Sequence, residues 1–514
     1  VTLARLLERA ALRRPEALAL VDGARRLTYA DLAREATALG GGFARLGVGA
    51  GDRVLIALKN RLEHVLAYWA LQLIGGVPTP VNFRVAGGEL AYVLEDCGAR
   101  VALFEPSTAA AVLEATRDWR GRLVFTGAPA PAGALAFAEV AAAGGGAMPD
   151  RSVAADDLSL LLYTSGTTGR PKGVPRTHAN HHAGALAQVI QCGYQWGERT
   201  LGVMPLYHTM GIHSLTSMVA VNGCFVCQAD WSAETALALI EAERLTALYL
   251  IPTLYHDLVH AAGFRRERVA SVRKLAFAGA PMLAALTEAC ADAFRPEAFV
   301  NHYGSTEIYT FSVCPDTAAK PGCAGRPGIH GTLRVVTAST ERRVGPDEVV
   351  PTREQGEIIA SLDSDEAFAS YWNRPDADAR ALRDGWYFTG DMGYRDEAGD
   401  LFVSGRVDDM IISGGENIHP VEVEEVLARH PHVLDVAVVG EPDEKWGERV
   451  VAFVVPRDAG LTAAALDHHC RASGELANFK RPRRVVFVTA IPKTASGKIL
   501  RRLLRDGHYA EVSR

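Results

Sequence analysis

Short apolar runs closed by glycine or polar residues alternate with longer stretches where alanine and leucine recur at helical spacing, up to about residue 290. The runs Arg53-Val54-Leu55-Ile56-Ala57-Leu58 and Arg100-Val101-Ala102-Leu103-Phe104 predict strands, while Leu27 to Phe43 and Thr235 to Arg244 predict helices. Strands apolar on both faces and separated by helices predict α/β subdomains, doubly wound parallel sheets covered on both sides by helices. From about residue 330 to 403 the strands shorten between Gly and Asp turns, as in Gly356 to Ala360 and Gly399 to Val403, which predicts a β-rich subdomain. Gly405-Arg406-Val407-Asp408-Asp409 opens a last segment with its own helix, Pro420 to Arg429, and strand, Val433 to Val439. The expected organisation is therefore a large N-terminal domain over 1–407 and a small α+β C-terminal domain over 408–514. The Ala/Gly/Pro-rich stretch from Gly127 to Gly146 reads as a surface loop, and no internal repeat is visible.

The chain has 514 residues, more than one hydrophobic core usually organises, so at least two domains are required. Its apolar and charged fractions are those of an ordinary globular enzyme. A net charge of −6 argues against a nucleic-acid binder, which carries a basic face. No apolar run approaches the roughly 18 residues that a membrane span needs, and Val1-Thr2-Leu3-Ala4-Arg5 lacks the pattern of a secretory signal, so a cytoplasmic protein is expected. Of eight cysteines only Cys224 and Cys227 have a metal-like spacing. They lie in an apolar strand-like run with no second Cys or His pair nearby, so free structural thiols are expected and no zinc site.

Chemistry concentrates in Tyr163-Thr164-Ser165-Gly166-Thr167-Thr168-Gly169-Arg170-Pro171-Lys172-Gly173. The apolar run Leu158 to Tyr163 before it predicts a buried strand, which would put the loop at the carboxyl end of a strand of an open α/β sheet, where such sheets bind ligands. Glycines allow close backbone approach to phosphate oxygens, hydroxyls donate hydrogen bonds and Lys172 adds positive charge. Pro171 before the lysine and Gly173 after it exclude a Walker A loop.

Four further clusters follow: Tyr303-Gly304-Ser305-Thr306-Glu307, Trp386-Tyr387-Phe388-Thr389-Gly390-Asp391, Gly405 to Asp409, and Pro492-Lys493-Thr494-Ala495-Ser496-Gly497-Lys498. In this order and spacing, the five together resemble the adenylate-forming superfamily of acyl- and aryl-CoA synthetases, luciferases and peptide-synthetase adenylation domains, over nearly the whole chain. The texture of Val407 to Pro420 is closest to chlorobenzoate-type aryl-CoA ligases. The resemblance implies an ATP-, Mg²⁺- and coenzyme A-dependent ligase that makes an acyl-AMP from a small carboxylic acid and then a thioester. It implies a phosphate cradle of Thr164, Ser165, Gly166, Thr167, Thr168, Gly169 and Lys172, with Glu307 positioning Mg²⁺ and Thr306 meeting the α-phosphate. Tyr303, with His302 and Gly304 beside it, would flank adenine opposite Gly279, Ala280 and Pro281, and Asp391 and Arg406 would hold the ribose. Lys498 would bridge the carboxylate and the α-phosphate. Asp408 matches a hinge about which a mobile C-terminal domain swings.

The same resemblance places CoA on Arg84, Gly414, Gly415, Trp446, Arg481 and Arg483. His208 would close the acid pocket, whose wall matches Ala187, Thr209, Met210, Tyr249, Ala278, Gly279, His302, Tyr309 and Thr310. The hydrogen-bonding groups on that wall would be costly to bury unpaired, which favours a compact aromatic or cyclic acid with a polar substituent. A medium-chain fatty acyl-CoA synthetase, a stand-alone enzyme loading a carrier protein, a luciferase-like oxygenase and a non-catalytic nucleotide sensor are the rival readings. No nucleic-acid or membrane partner is expected, and a homodimer is compatible with the sequence.

Overall fold

The computed structural model describes residues 1–145, 153–164, 170–339, 342–414, 416–494 and 497–512, with the side chain of Asn417 left out. Strands Val77–Pro80, Arg53–Ala57, Val101–Phe104, Arg122–Phe125 and Ala134–Ala136 form a parallel sheet in that order. Val54, Ile56, Val101 and Leu103 enter one hydrophobic core, while Leu55, Ala57, Ala102 and Phe104 enter another. Successive side chains of a strand point to opposite faces, so a strand buried on both faces must be apolar at every position. The sheet thus explains the uninterrupted runs in the sequence. The stretch expected as a surface loop from Gly127 to Gly146 instead contributes the last of these strands and the helix Phe137–Ala143. Its Ala/Gly-rich composition masks Val140, which is buried against the helix Tyr29–Arg45.

A second sheet carries parallel strands Ala298–Tyr303, Lys274–Phe277, Ala247–Leu250, Arg199–Gly202, Cys224–Cys227 and Leu18–Asp22. The β-rich region continues this sheet. Ser312–Cys314 pairs antiparallel with Ala298–Tyr303, and Cys323–Pro327, Leu401–Arg406, Trp386–Arg395, Gly356–Ser361 and Leu333–Val336 follow without a break. The connection after Tyr303 is too short for a parallel crossover, so the chain turns back and the sheet changes from parallel to antiparallel there.

The strand before the phosphate loop departs from expectation for the same reason. Leu158–Thr164 pairs antiparallel with Lys172–Thr177 as a two-stranded hairpin, with Thr164 opposite Lys172, and belongs to neither parallel sheet.

After the short 3-10 turn Val407–Asp409 a small domain builds its own sheet, in the order Glu416–Ile418, Ile411–Ser413, Gly447–Pro456, Val433–Asp443, with Arg484–Phe487 parallel to Gly447–Pro456. Alternate residues again feed two cores. Val436, Val438, Val450, Ala452 and Val454 pack with the helices Pro420–Ala428 and Ala463–Ala472; Ala437, Val439, Val451 and Phe453 pack with Leu504. No helix among the described residues is long and apolar enough to cross a membrane. All eight cysteines are unpaired and buried, Cys224 and Cys227 in one strand, and the described residues include no cluster of three or more His, Cys, Asp or Glu side chains arranged to hold a metal.

Asn60 ties the first sheet to the segment that carries His208. Its Nδ2 donates to the carbonyls of Gly202 (2.9 Å) and Met204 (2.7 Å), and its Oδ1 accepts from Leu206 N (3.0 Å). Asn60→Ala orphans these buried backbone groups and is expected to cost about 3 kcal/mol. Urea melts check this, and an unchanged midpoint would contradict the assigned role.

Candidate active site

The carboxyl ends of Ala247–Leu250, Lys274–Phe277 and Ala298–Tyr303 open into a cavity of about 1490 Å³ that also takes in residues of the small domain. Tyr303, at the tip of its strand, donates from its hydroxyl to Asp391 Oδ2 (2.7 Å). Arg406 Nη1 donates to Asp391 Oδ1 (2.8 Å) and to the carbonyl of Thr389 (3.1 Å). Strand pairing sets this up, because Asp391 lies opposite Arg406 in adjacent antiparallel strands. Gly279, Ala280 and Pro281 follow the neighbouring strand and line the same cavity, as do His302 and Gly304. Gly304 must be glycine, since a Cβ there would overlap the Tyr309 carbonyl.

The Thr306–Glu307 turn is held from behind by Arg176, a fully buried guanidinium on the hairpin strand Lys172–Thr177. Its Nη1 donates to the carbonyls of Thr306 (3.2 Å) and Glu307 (2.9 Å). Glu366, completely buried, and Glu307 both act on Arg176 electrostatically; burial pushes the pKa of Glu366 up to about 7 against the pull of Arg176. In front of the turn, Tyr371 donates from its hydroxyl to Glu307 Oε1 (2.6 Å), while Lys172 Nζ lies 4.2 Å from the centre of the same ring. Burial lowers the pKa of Lys172, and the charge of Glu307 works in the opposite direction. Thr164 and Lys172 line the cavity. Ser165, Gly166, Thr167, Thr168 and Gly169 fall outside the described residues.

At the acid end, His208, Thr209, Met210, Tyr249, Ala278, His302 and Tyr309 line the cavity. Ala187 and Thr310, expected on this wall, do not. Ala187 is buried within its helix, and Thr310 is buried with its hydroxyl accepting from Gln191 at 3.5 Å. The wall is closed by a hydrogen-bonded chain in which Tyr309 donates to Gln188 Oε1 (2.7 Å) and its hydroxyl meets that of Tyr249 (3.1 Å). His213 stacks on Tyr309 with 3.6 Å between centroids. Burial drives His208 and His302 down to about 4 and His213 well below its usual value. His208 caps the helix Thr209–Ala220, its Nδ1 accepting from Met210 N (3.3 Å), so the neutral ring carries its proton on Nε2.

From the small domain, Lys498 lines the cavity at a tight turn where Lys498 N donates to Thr494 Oγ1 (3.0 Å) and Thr494 N to the Lys498 carbonyl (2.8 Å). Gly497 seats this turn on the large domain, since a Cβ there would lie 2.8 Å from Ile251 Cδ1. Burial by the surrounding protein lowers the pKa of Lys498, followed by repulsion from Arg406, although the side chain still meets the water of the cleft. Asp408 also lines the cavity, within the turn that joins the domains.

The residues expected to bind CoA are not gathered here. Arg84 lies exposed over the ring of Phe83, Trp446 is half exposed and packed on Gly414, and Arg483 donates to the Asn478 carbonyl. Arg481 is buried and ion-paired with Asp467, so it is not a free cation as expected. Gly415 falls outside the described residues. Sequence reading missed Tyr371, Arg176 and Glu366. Each gains meaning only from a partner far away in the chain, although an Arg directly before Thr177-His178 and a Tyr-Trp-Asn-Arg-Pro run were visible signals.

Residues 7–372 match the family model described as AMP-binding enzyme, and residues 422–498 match that of the AMP-binding enzyme C-terminal domain. The chain is 33% identical over 500 residues to a curated 4-chlorobenzoate–CoA ligase of Arthrobacter sp, covering 96% of this chain and 93% of that one. It is 36% identical over 494 residues to a feruloyl-CoA synthase of Amycolatopsis sp, with 95% of each covered. Among solved structures, that of the anthranilate CoA ligase AuaEII in complex with anthranoyl-AMP superposes with a TM-score of 0.90 at 28% identity, covering 99% of this chain and 97% of that one.

The neutral imidazoles set a pH dependence. His64, His178, His208 and His302 titrate near 4 in the folded chain, and His181 and His213 lie well below their usual value. The unfolded chain takes up these protons below about pH 6.5. Between those limits it binds more protons than the folded chain, so stability falls on acidification through this window. Glu366, raised to about 7, acts in the opposite direction, as do Glu357 and Glu425, which burial also raises, but these three are outnumbered by the six histidines. The urea midpoint is expected to fall from pH 7.5 to pH 5.5, with a smaller fall in His302→Gln; a midpoint constant across that range would contradict the burial of neutral rings.

Proposed function

The chain belongs to the AMP-binding enzyme family and is an ATP-, Mg²⁺- and CoA-dependent acid–thiol ligase, and we propose that its substrate is a compact aromatic or cyclic carboxylic acid. A carboxylate resists nucleophiles because its charge and resonance make the carbon a poor electrophile. Joining it to AMP removes both obstacles: a carboxylate oxygen bonds to the α-phosphorus, the bond to the bridging oxygen breaks, and pyrophosphate leaves with the electron pair. The thiolate of CoA then attacks the acyl carbon and AMP departs.

The observation that carries the assignment of roles is the meeting of Lys498 from the small domain with Asp391, Arg406, Tyr303 and Lys172 from the large one around a single cavity. Asp391, its carboxylate oriented by Tyr303 and Arg406, suits the paired hydroxyls of a ribose, and Tyr303 beside Gly279–Pro281 offers a slot for adenine. Lys172 and the hairpin loop would cradle the outer phosphates, with Thr306 beside the α-phosphate. Lys498 would neutralise charge where two anions must approach. The carboxylate of Glu307 next to Lys172 fits Mg²⁺, which draws most of its ligands from phosphate oxygens and water. Bound there, the ion would screen phosphate charge.

The substrate reading rests on the acid end. Tyr249, His302 and Tyr309 enclose it with rings, and the Tyr309–Gln188 hydrogen bond braces one side of this wall. His302 Nδ1, buried with no hydrogen-bond partner among the described residues, suits a ring bearing a hydrogen-bonding substituent. For the thioester step, rotation about Asp408 of a mobile body spanning 408–514 would withdraw Lys498 and present Gly414, Gly415 and Trp446 to the pantetheine arm, with Arg84 and Arg483 near the nucleotide end; Arg481 would first have to leave Asp467. Eight buried free thiols suit a reducing cytoplasm.

Lys498→Ala is expected to slow acid-dependent pyrophosphate exchange by at least about a hundredfold, while supplied acyl-AMP still reacts with CoA at close to the normal rate. Equal loss in both half-reactions would overturn the role given to Lys498. A panel of aromatic and aliphatic acids, scored by AMP release with and without CoA, tests the substrate class, and a preference for long fatty acids would refute it.

A further inference from the structure

The segment following Tyr371 carries two arginines that the adenylation chemistry has not yet used. Tyr371 fixes where this segment lies, because one side chain bonds to Glu307 Oε1 at 2.6 Å and supports Lys172 Nζ 4.2 Å from its ring centre. Trp372 N donates to the Gly173 carbonyl (2.8 Å), so the backbone of the segment is also stitched to the phosphate hairpin. Arg374 and Arg380, which follow within the next turn and the helix Pro375–Ala381, line the same cavity as Lys172, Arg170 and Glu307.

Both guanidiniums converge on one carboxylate. Arg374 Nε and Nη2 bond to Asp376 Oδ1 (2.7 Å) and Oδ2 (2.8 Å), and Arg380 Nη2 bonds to Asp376 Oδ2 (2.6 Å). Two cations on one anion leave a net positive charge. Arg380 commits a single nitrogen to Asp376, so most of its donor fork remains for another acceptor. The charges of both arginines also act on Lys172 and help lower its pKa, although burial is the larger cause. Fixed guanidinium forks beside a lysine match tetrahedral, multiply charged phosphate groups.

We infer that Arg374 and Arg380, pre-oriented by Asp376 on a segment docked through Tyr371, grip the pyrophosphate leaving group beside Lys172. The inference rests on the adenylation reading above. As the α-phosphorus–oxygen bond breaks, negative charge accumulates on the departing pyrophosphate, and the two guanidiniums stabilise it there. In the reverse direction they are the binding site for free pyrophosphate.

Acid-dependent exchange of labelled pyrophosphate into ATP tests this with the full-length enzyme. Arg374→Gln and Arg380→Gln are each expected to raise the KM for pyrophosphate several-fold, and the double variant by about tenfold or more. The KM for the acid should stay within about twofold, because the two guanidiniums act on the pyrophosphate rather than on the acid. Arg380→Lys, which keeps the charge, should recover part of the loss. Arg380 is exposed, so its variants fold irrespective of any effect at Arg374. A normal KM for pyrophosphate in Arg380→Gln and in the double variant would overturn the inference, as would an equal rise in the KM for the acid. Absence of exchange in the unmodified enzyme would instead refute the adenylation reading.

Discussion

A buried guanidinium joins the two halves of the phosphate site. Arg176 stands on the hairpin that presents the glycine-rich loop, and its Nη1 donates to the carbonyls of Thr306 and Glu307. A charge so fully removed from water persists only where hydrogen bonds and opposite charge compensate it, and Glu366 and Glu307 contribute the latter. The hairpin lies outside both parallel sheets, so contacts of this kind, together with the backbone bond from Trp372 to Gly173, fix its position. With Arg176 in place, Lys172, Tyr371 and Glu307 fall into one contiguous set, and the phosphate chemistry has a rigid floor.

Around this floor the sheet supplies direction. Parallel strands bring Tyr249, the Gly279 turn and Tyr303 to neighbouring carboxyl ends, although they are widely separated in the chain. The reversal after Tyr303 then carries the sheet into its antiparallel half, which returns Asp391 and Arg406 to the Tyr303 hydroxyl. One sheet therefore spans the nucleotide and acid ends, and the small domain has only to deliver Lys498 at the rim.

Much of this was legible in the sequence because local physics dominated. Strands buried on both faces announced themselves as apolar runs, and the helix Pro420–Ala428 and strand Val433–Asp443 lie where their patterns put them, with boundaries shifted by a few residues. The motif residues Asp391, Arg406, Tyr303, Glu307 and Lys498 share a cavity, as their resemblance to a known family implied. What the sequence concealed was pairing. Nothing local in Leu158 to Tyr163 distinguishes a hairpin strand from a strand of an open sheet, and nothing local in Tyr371 points to Glu307. Ala187 and Thr310 were expected on the pocket wall from the resemblance, yet both are buried away from the cavity. Arg481 looked like a free cation because its partner, Asp467, lies on another element.

The ring-lined end of the cavity has a bearing on selectivity. His208 and His302 are held uncharged by their burial, and Thr209, Met210, Tyr249, Ala278 and Tyr309 beside them carry no positive charge. A diacid entering there would have to strip water from its far carboxylate with no opposite charge to receive it, a penalty far larger than that of a misplaced methyl group. On the substrate reading proposed above, a second carboxylate at that end would therefore be disfavoured on electrostatic grounds.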